Sequence, residues 1–205
     1  MIYPKLLSAI ERLLKSQVPH DRQLVLNHLQ QDIQGVCNSG DIPQLIFICT
    51  HNSRRSQFAQ VWASVAAHQA GISCNVFSGG TEVTQCHPAV IESLKRSGFE
   101  VDSDLSQSNP RYSVQFDPDA APVELWSKVY DNEQNPPDHF IAVMVCSDAD
   151  AHCPIIPGCD HRIVLTYEDP KPFDQTPEEA NQYDNRSAQI AAEFFYLFSN
   201  LNQPQ

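Results

Sequence analysis

Positive charge is scarce in this chain. Its 205 residues hold 13 Lys plus Arg against 25 Asp plus Glu, a formal net charge of −12. A general nucleic-acid binder needs a basic footprint, so that class is set aside. A small anion is still admissible as a ligand, because it feels the local field of its pocket more than the net charge. Long apolar runs are also missing: stretches such as Ile141–Cys146 are far too short to span a bilayer, and no membrane partner is expected. Internal repeats and low-complexity tracts are absent as well. Met1–Ser16 is broken by Lys5, Glu11, Arg12 and Lys15, so we expect no secretory signal and a cytoplasmic protein. What the chain does have is seven cysteines, from Cys37 to Cys159. In the cytoplasm cysteines tend to be buried, metal-bound or catalytic, and structural disulfides are rare.

The hydrophobic pattern gives the organisation. Leu6, Leu7, Ile10, Leu13 and Leu14 fall at helical spacing, Pro19-His20-Asp21 interrupts them, and Leu24, Val25, His28, Leu29 and Ile33 predict a second helix. Gly35 to Gly40 reads as a loop. We expect residues 1–40 to form a helical extension that carries no chemistry of its own, and residues 41–205 to form the functional domain. Leu45-Ile46-Phe47-Ile48, ending at Cys49, suits a strand buried on both faces. A helix is predicted over Ser56–Ala70 with Gly71 as its stop, a strand at Asn75–Phe77, and a helix over Pro88–Ser97. Further strands are expected at Ile141–Cys146 and Arg162–Tyr167. Thr176-Pro177-Glu178-Glu179 reads as a capping box opening a last helix that runs to about Leu201. Strands alternating with helices imply an open parallel α/β sheet. The stretch at about 102–137, with five prolines and four aromatics, breaks that rhythm. It reads as an insertion folded over the body, with an active-site lid as one role for it.

The chemistry concentrates after the first strand, in Cys49-Thr50-His51-Asn52-Ser53-Arg54-Arg55-Ser56. Ligands of an open α/β sheet bind beyond the carboxyl ends of its strands, and a helix N-terminus there favours an oxyanion. The same position favours a thiolate. Arg55 can return over the loop and hold a tetrahedral oxyanion with its planar fork, and Ser53 or Ser56 can donate to the sulfur. This frame resembles the low-molecular-weight protein tyrosine phosphatase superfamily, which includes the thioredoxin-coupled arsenate reductases. Cys49 through Gln57 is similar to the reductase version, Cys-Thr-x-Asn-Ser-x-Arg-Ser-Gln. Two positions depart: His51 stands where glycine is usual, and Arg54 where a small residue or cysteine is common. Neither removes a catalytic group, and Arg54 adds positive charge beside the loop.

The resemblance carries further implications. It implies that Cys49 is the nucleophile, that residues Thr50, His51, Asn52, Ser53, Arg54, Arg55 and Ser56 bind the oxyanion, and that Asp169 of Glu168-Asp169-Pro170 is the general acid. Glu168 and Asp174 are expected to be solvated. Cys146-Ser147-Asp148-Ala149-Asp150-Ala151-His152-Cys153-Pro154 looks very like the reductases' second cysteine motif, which simple phosphatases do not need. It implies Cys146 and Cys153 as relay thiols and thioredoxin or a similar dithiol as reductant. Zinc held by Cys146, Cys153, Cys159, His152 and His161 fits poorly, because structural zinc pairs are separated by about two to four residues. No metal and no cofactor is expected. If Cys146–Cys153 is helical, its Cα atoms are ~10 Å apart along the axis, so a disulfide there requires unwinding.

The implied fold is a four-stranded parallel sheet with helices on both faces, flavodoxin-like, in the order 2-1-3-4. The implied activity is reduction of arsenate to arsenite through a thiol relay. A phosphatase acting on phosphotyrosine or small phosphoesters stays open, using Cys49, Arg55 and Asp169 with water. So does a non-catalytic oxyanion or redox sensor signalling through the N-terminal helices.

Overall fold

A computed structural model of the protein describes residues 1–153 and 155–202. Its centre is β1 (Gln44–Cys49), whose residues after Gln44 are all buried, as a strand covered on both faces requires. Parallel to it run β2 (Asn75–Gly80) on one side and β6 (Phe140–Met144) on the other, with β7 (Cys159–Val164) outside β6. The order β2-β1-β6-β7 is the expected 2-1-3-4 with the strands of the insertion counted separately.

Among the described residues, six α-helices accompany this sheet: α1 (Pro4–Leu13), α2 (His20–Asn38), α3 (Arg55–Ala70), α4 (Pro88–Ser97), α5 (Ser147–His152) and α6 (Glu179–Ser199). Helix α3 is buried along most of its length and packs on α6. Trp62 of α3 meets Phe195 of α6 and Phe99 edge-on, and Phe194 of α6 meets Phe47 of β1 in the same way. Gly71 ends α3 in the left-handed conformation, as expected of the residue after a helix. Gly98 does the same for α4 at φ 110°, and a Cβ there would lie 2.5 Å from the backbone nitrogen of Leu6. Only glycine lets α1 approach α4 this closely.

Several boundaries differ from expectation. Helix α2 continues through Gly35 to Asn38, where a loop was expected, because Leu26, Leu29, Ile33 and Cys37 keep one buried face to its end. The fourth strand is assigned to Cys159–Val164, earlier than Arg162–Tyr167. Beyond it the chain still follows β6, with Leu165 N donating to Met144 O and Tyr167 N to Val145 O. Helix α6 begins at Glu179. Gln175 at φ 61° turns the chain before it, and the Thr176 hydroxyl accepts from Glu178 N while the Glu179 carboxylate accepts from Gln175 N. The capping exchange therefore closes the turn just ahead of the helix.

The proline-rich stretch contains a small antiparallel sheet: β3 (Glu100–Asp104), β4 (Arg111–Gln115) and β5 (Val123–Leu125), in that order. From β5 the chain returns to the main sheet, where Val129 bridges Gly80 in parallel. Among the described residues no helix is long and apolar enough to cross a membrane.

Candidate active site

Cys49 ends β1, and the loop that follows turns directly into α3. Asn52 shapes that turn. It is fully buried at φ 44°, a conformation that asparagine tolerates better than most residues. Its side-chain nitrogen donates to Ser56 Oγ (2.8 Å), its Oδ1 accepts from Lys128 N (3.0 Å), and its carbonyl accepts from Gln57 Nε2 (2.6 Å). Gly80 at the end of β2 lies against the same turn. A Cβ there would sit 2.6 Å from Thr50 O and 2.8 Å from Asn52 N. Among the described residues, the backbone N–H groups of His51, Asn52, Ser53 and Arg54 have no protein acceptor, while α3 adds the positive end of its dipole. The loop can therefore hold an oxyanion with main-chain donors.

The residues expected to act as nucleophile, oxyanion holder and acid meet at this loop. Cys49 Sγ lies 3.1 Å from Ser56 Oγ. Arg55 is buried; its Nη2 donates to Asp169 Oδ2 (2.6 Å) and its Nη1 to Tyr167 O (3.0 Å), while its Nε–H is buried without a partner. Asp169 keeps a partly exposed carboxylate whose Oδ1 accepts from Lys171 N. The structure thus brings Cys49, Arg55 and Asp169 to one rim of the sheet, a thiol, a cation and a carboxylate around one loop.

Cys146 joins them from the neighbouring strand. It follows β6, is fully buried, and accepts from Ala149 N at 3.2 Å as the N-cap of α5. Its Sγ is 3.4 Å from Thr50 Oγ1 in the loop. Cys153 lies at the far end of α5, partly exposed, with its carbonyl accepting from Arg162. All seven cysteines are free thiols. Pro154 of the second motif lies outside the described residues.

Two expectations need correction. The Arg54 guanidinium does not add free positive charge beside the anion loop. Its Nε donates to Tyr183 Oη and its Nη2 to Asp174 Oδ2, so its charge is paired with a carboxylate. Asp174, expected in solvent, is half-buried between Arg54, the Tyr183 hydroxyl (2.7 Å) and His87 (3.5 Å). Burial, with Arg54 nearby, pushes the His87 imidazole below its ordinary range. His51 is half-exposed, its ring 3.4 Å from the Glu82 carboxylate.

Sequence reasoning also missed how the insertion meets the loop. Gln57 Nε2 donates to Trp126 O, Ser127 Oγ donates to His51 O, and Lys128 N donates to Asn52 Oδ1. The Lys128 ammonium is buried 4.0 Å from the Trp126 ring centroid, and burial lowers its pKa to about 8. The aromatic spacing of this stretch was the only signal for these contacts. The segment braces the loop from its flank.

Comparison with known proteins agrees with this geometry. The family model for low molecular weight phosphotyrosine protein phosphatase matches residues 44–117. Arsenate reductase 1 of Staphylococcus saprophyticus is 33% identical over 130 residues, 63% of this chain and 80% of that protein. A low molecular weight phosphotyrosine phosphatase from Vibrio cholerae has the same fold, with a TM-score of 0.52 at 14% identity over 76% of this chain and 93% of its own. An arsenate reductase from Archaeoglobus fulgidus has a TM-score of 0.50 at 18% identity over 75% and 98%. With a family model and relatives of this identity and coverage, the chain belongs to the low molecular weight phosphotyrosine protein phosphatase family of enzymes, among which its similar relatives include arsenate reductases.

Proposed function

We propose that the protein reduces arsenate to arsenite through a relay of three thiols. The observation that carries this reading is Cys146, a second buried thiol placed 3.4 Å from the hydroxyl of the residue after the nucleophile. Hydrolysis of a phosphoester needs no such group.

In this reading arsenate sits on the loop amides and the Arg55 guanidinium. The Cys49 thiolate attacks arsenic, and an arsenate oxygen leaves as water after Asp169 protonates it. Cys146, as thiolate, then attacks Cys49 Sγ. The electron pair of the sulfur–arsenic bond passes to arsenic, which falls from the +5 to the +3 state and departs as arsenite. A Cys49–Cys146 disulfide is left. Cys153 attacks Cys146, releases the Cys49 thiolate, and moves the disulfide to Cys146–Cys153. An external dithiol of the thioredoxin class reduces that bond with two electrons.

Helix α5 bears on the last transfer. It separates the two relay cysteines by seven positions, ~10 Å along a helix axis at 1.5 Å per residue. A disulfide needs Cα atoms about 4.4–6.8 Å apart. The helix must unwind as the bond forms, which presents the disulfide to the reductant. Similar amide-exchange protection of residues 147–153 in both redox states would sink this step.

The phosphatase reading has one observation in its favour: Cys49, Arg55 and Asp169 form a complete set without Cys146. The deciding measurement is arsenate-dependent NADPH oxidation with thioredoxin and thioredoxin reductase, run beside phosphoester hydrolysis, on the parent and Cys146→Ser. Reductase turnover that vanishes in the variant while hydrolysis survives supports the relay. No reductase turnover, with equal hydrolysis in both proteins, makes the protein a phosphatase.

A further inference from the structure

Helix α2 lies outside the part of the chain that the family model matches, yet one of its residues reaches the catalytic rim. Arg22 donates from Nε to Glu193 Oε1 (3.0 Å) and from Nη2 to Glu193 Oε2 (2.6 Å), a two-pronged pair. Its third nitrogen, Nη1, donates to Thr166 O at 2.9 Å. The guanidinium also lies 4.7 Å from the Tyr167 ring centroid. The Tyr167 hydroxyl donates to the same Glu193 carboxylate at 2.8 Å.

The strip so gripped is the one that sets the oxyanion arginine. Tyr167 O accepts from Arg55 Nη1, and Asp169, two residues on, takes Arg55 Nη2. Thr166 and Tyr167 are therefore held between two arginines. Arg22 pulls on one carbonyl from the outside, and Arg55 hangs on the next from the inside. This chain of contacts is rigid for a physical reason. Glu193 is 1% exposed, and a carboxylate buried so deeply demands a fixed cationic partner. Leu26, Leu29 and Ile33 bury the apolar face of α2, and Arg22 adds to that packing a polar grip on the Thr166 carbonyl.

We infer that Arg22 is a positioning residue for the oxyanion site, fixing the Thr166–Tyr167 backbone from which Arg55 is aimed. The inference rests on the reading of the Cys49 loop as the oxyanion site, and is independent of whether the substrate is arsenate or a phosphoester. It makes the N-terminal helices part of the active-site architecture.

The test uses the full chain and inorganic phosphate as probe. Two variants keep Glu193 from being left as an unpaired charge: Arg22→Lys, and the pair Arg22→Met with Glu193→Gln, whose amide still accepts from Tyr167. The phosphate dissociation constant is read from protection of Cys49 against iodoacetamide, with thermal melting recorded in parallel. We expect both variants to melt cooperatively, to alkylate at the parent's rate without phosphate, and to bind phosphate roughly three- to tenfold more weakly. Phosphate affinity equal to the parent's in folded variants overturns the inference alone. Affinity and alkylation that change only in step with loss of the folded state also overturn it, leaving Arg22 a plain packing residue. A parent that phosphate does not protect fails at the earlier step, and takes the oxyanion reading down with it.

Discussion

The Ser56 hydroxyl lies 3.1 Å from the Cys49 sulfur and already accepts the side-chain N–H of Asn52 at 2.8 Å. A hydroxyl has one proton. That proton has no other acceptor among the described residues, so Ser56 can donate to the sulfur when Cys49 is ionised. Replacing Ser56 by Ala removes the donor. Hydrogen bonds to charged groups are worth at least ~1.5 kcal/mol, so the pH profile of Cys49 alkylation should move upward by about one unit. A Ser56→Ala protein that keeps the parent's pH profile with iodoacetamide would show that the proton points elsewhere.

Cys153 stands last in the proposed relay and is separated from Cys146 by α5. Cys153→Ser should therefore reduce about one equivalent of arsenate per chain and then stop, trapped as a Cys49–Cys146 disulfide. Mass spectrometry of the stalled protein reads the bond directly. Continued turnover with thioredoxin would remove Cys153 from the path.

Asn52 combines a left-handed backbone with three hydrogen bonds. Asn52→Gly keeps the backbone conformation without strain and loses the side-chain bonds, whereas Asn52→Ala loses the same bonds and strains the left-handed backbone. Both should weaken phosphate binding. The alanine protein should be less stable than the glycine protein by about 1 kcal/mol, the cost of a left-handed residue with a Cβ. Equal urea midpoints for the two would mean that the strain is relieved by movement of the loop.

Lys128 titrates at about 8 in the folded protein, against an ordinary 10.5, because it is buried. Among the described residues no carboxylate lies within ion-pair distance of it. Between those two values the unfolded chain binds more protons than the folded one, so this group makes stability rise with pH. Below about 8 both states are protonated and the full penalty, up to about 3 kcal/mol, applies. Lys128→Met should thus be more stable than the parent at pH 7, with the gap closing as the pH approaches 10.5. Urea titrations of both proteins across this range give the difference. A gap independent of pH would locate the gain in packing instead.

The parts of this protein that were legible in the sequence obey local rules. The apolar run Leu45–Ile48, the Cys49–Ser56 frame and the Gly71 stop each depend on neighbours a few residues away. The place of Cys146 beside the loop was an implication of the family resemblance, and the structure sets its sulfur 3.4 Å from Thr50 Oγ1. The contacts that escaped are long-range. Trp126 O meets Gln57 across 69 positions, Lys128 N meets Asn52 across 76, and Arg22 meets Thr166 across 144. Nothing in the residues around Arg22 distinguishes it from an arginine on a solvated helix face. The Arg54–Asp174 pair was misjudged for the same reason: it depends on where the turn before α6 is folded, 120 positions away.

The pairing of β1 with β6 has a consequence for how this chain tolerates change. Thr50 and Cys146 are 96 positions apart in the chain but share one edge of the sheet, because Ile48 stands opposite Met144 in the ladder. The nearness of Cys146 to the loop after Cys49 thus follows from strand pairing and not from the length of polypeptide between them. The three-stranded sheet β3-β4-β5 lies within those 96 positions, and the insertion touches the loop through Trp126, Ser127 and Lys128 just after β5. A change of chain length between β3 and β5 that spares residues 126–128 would leave the placing of Cys146 beside the loop as it is.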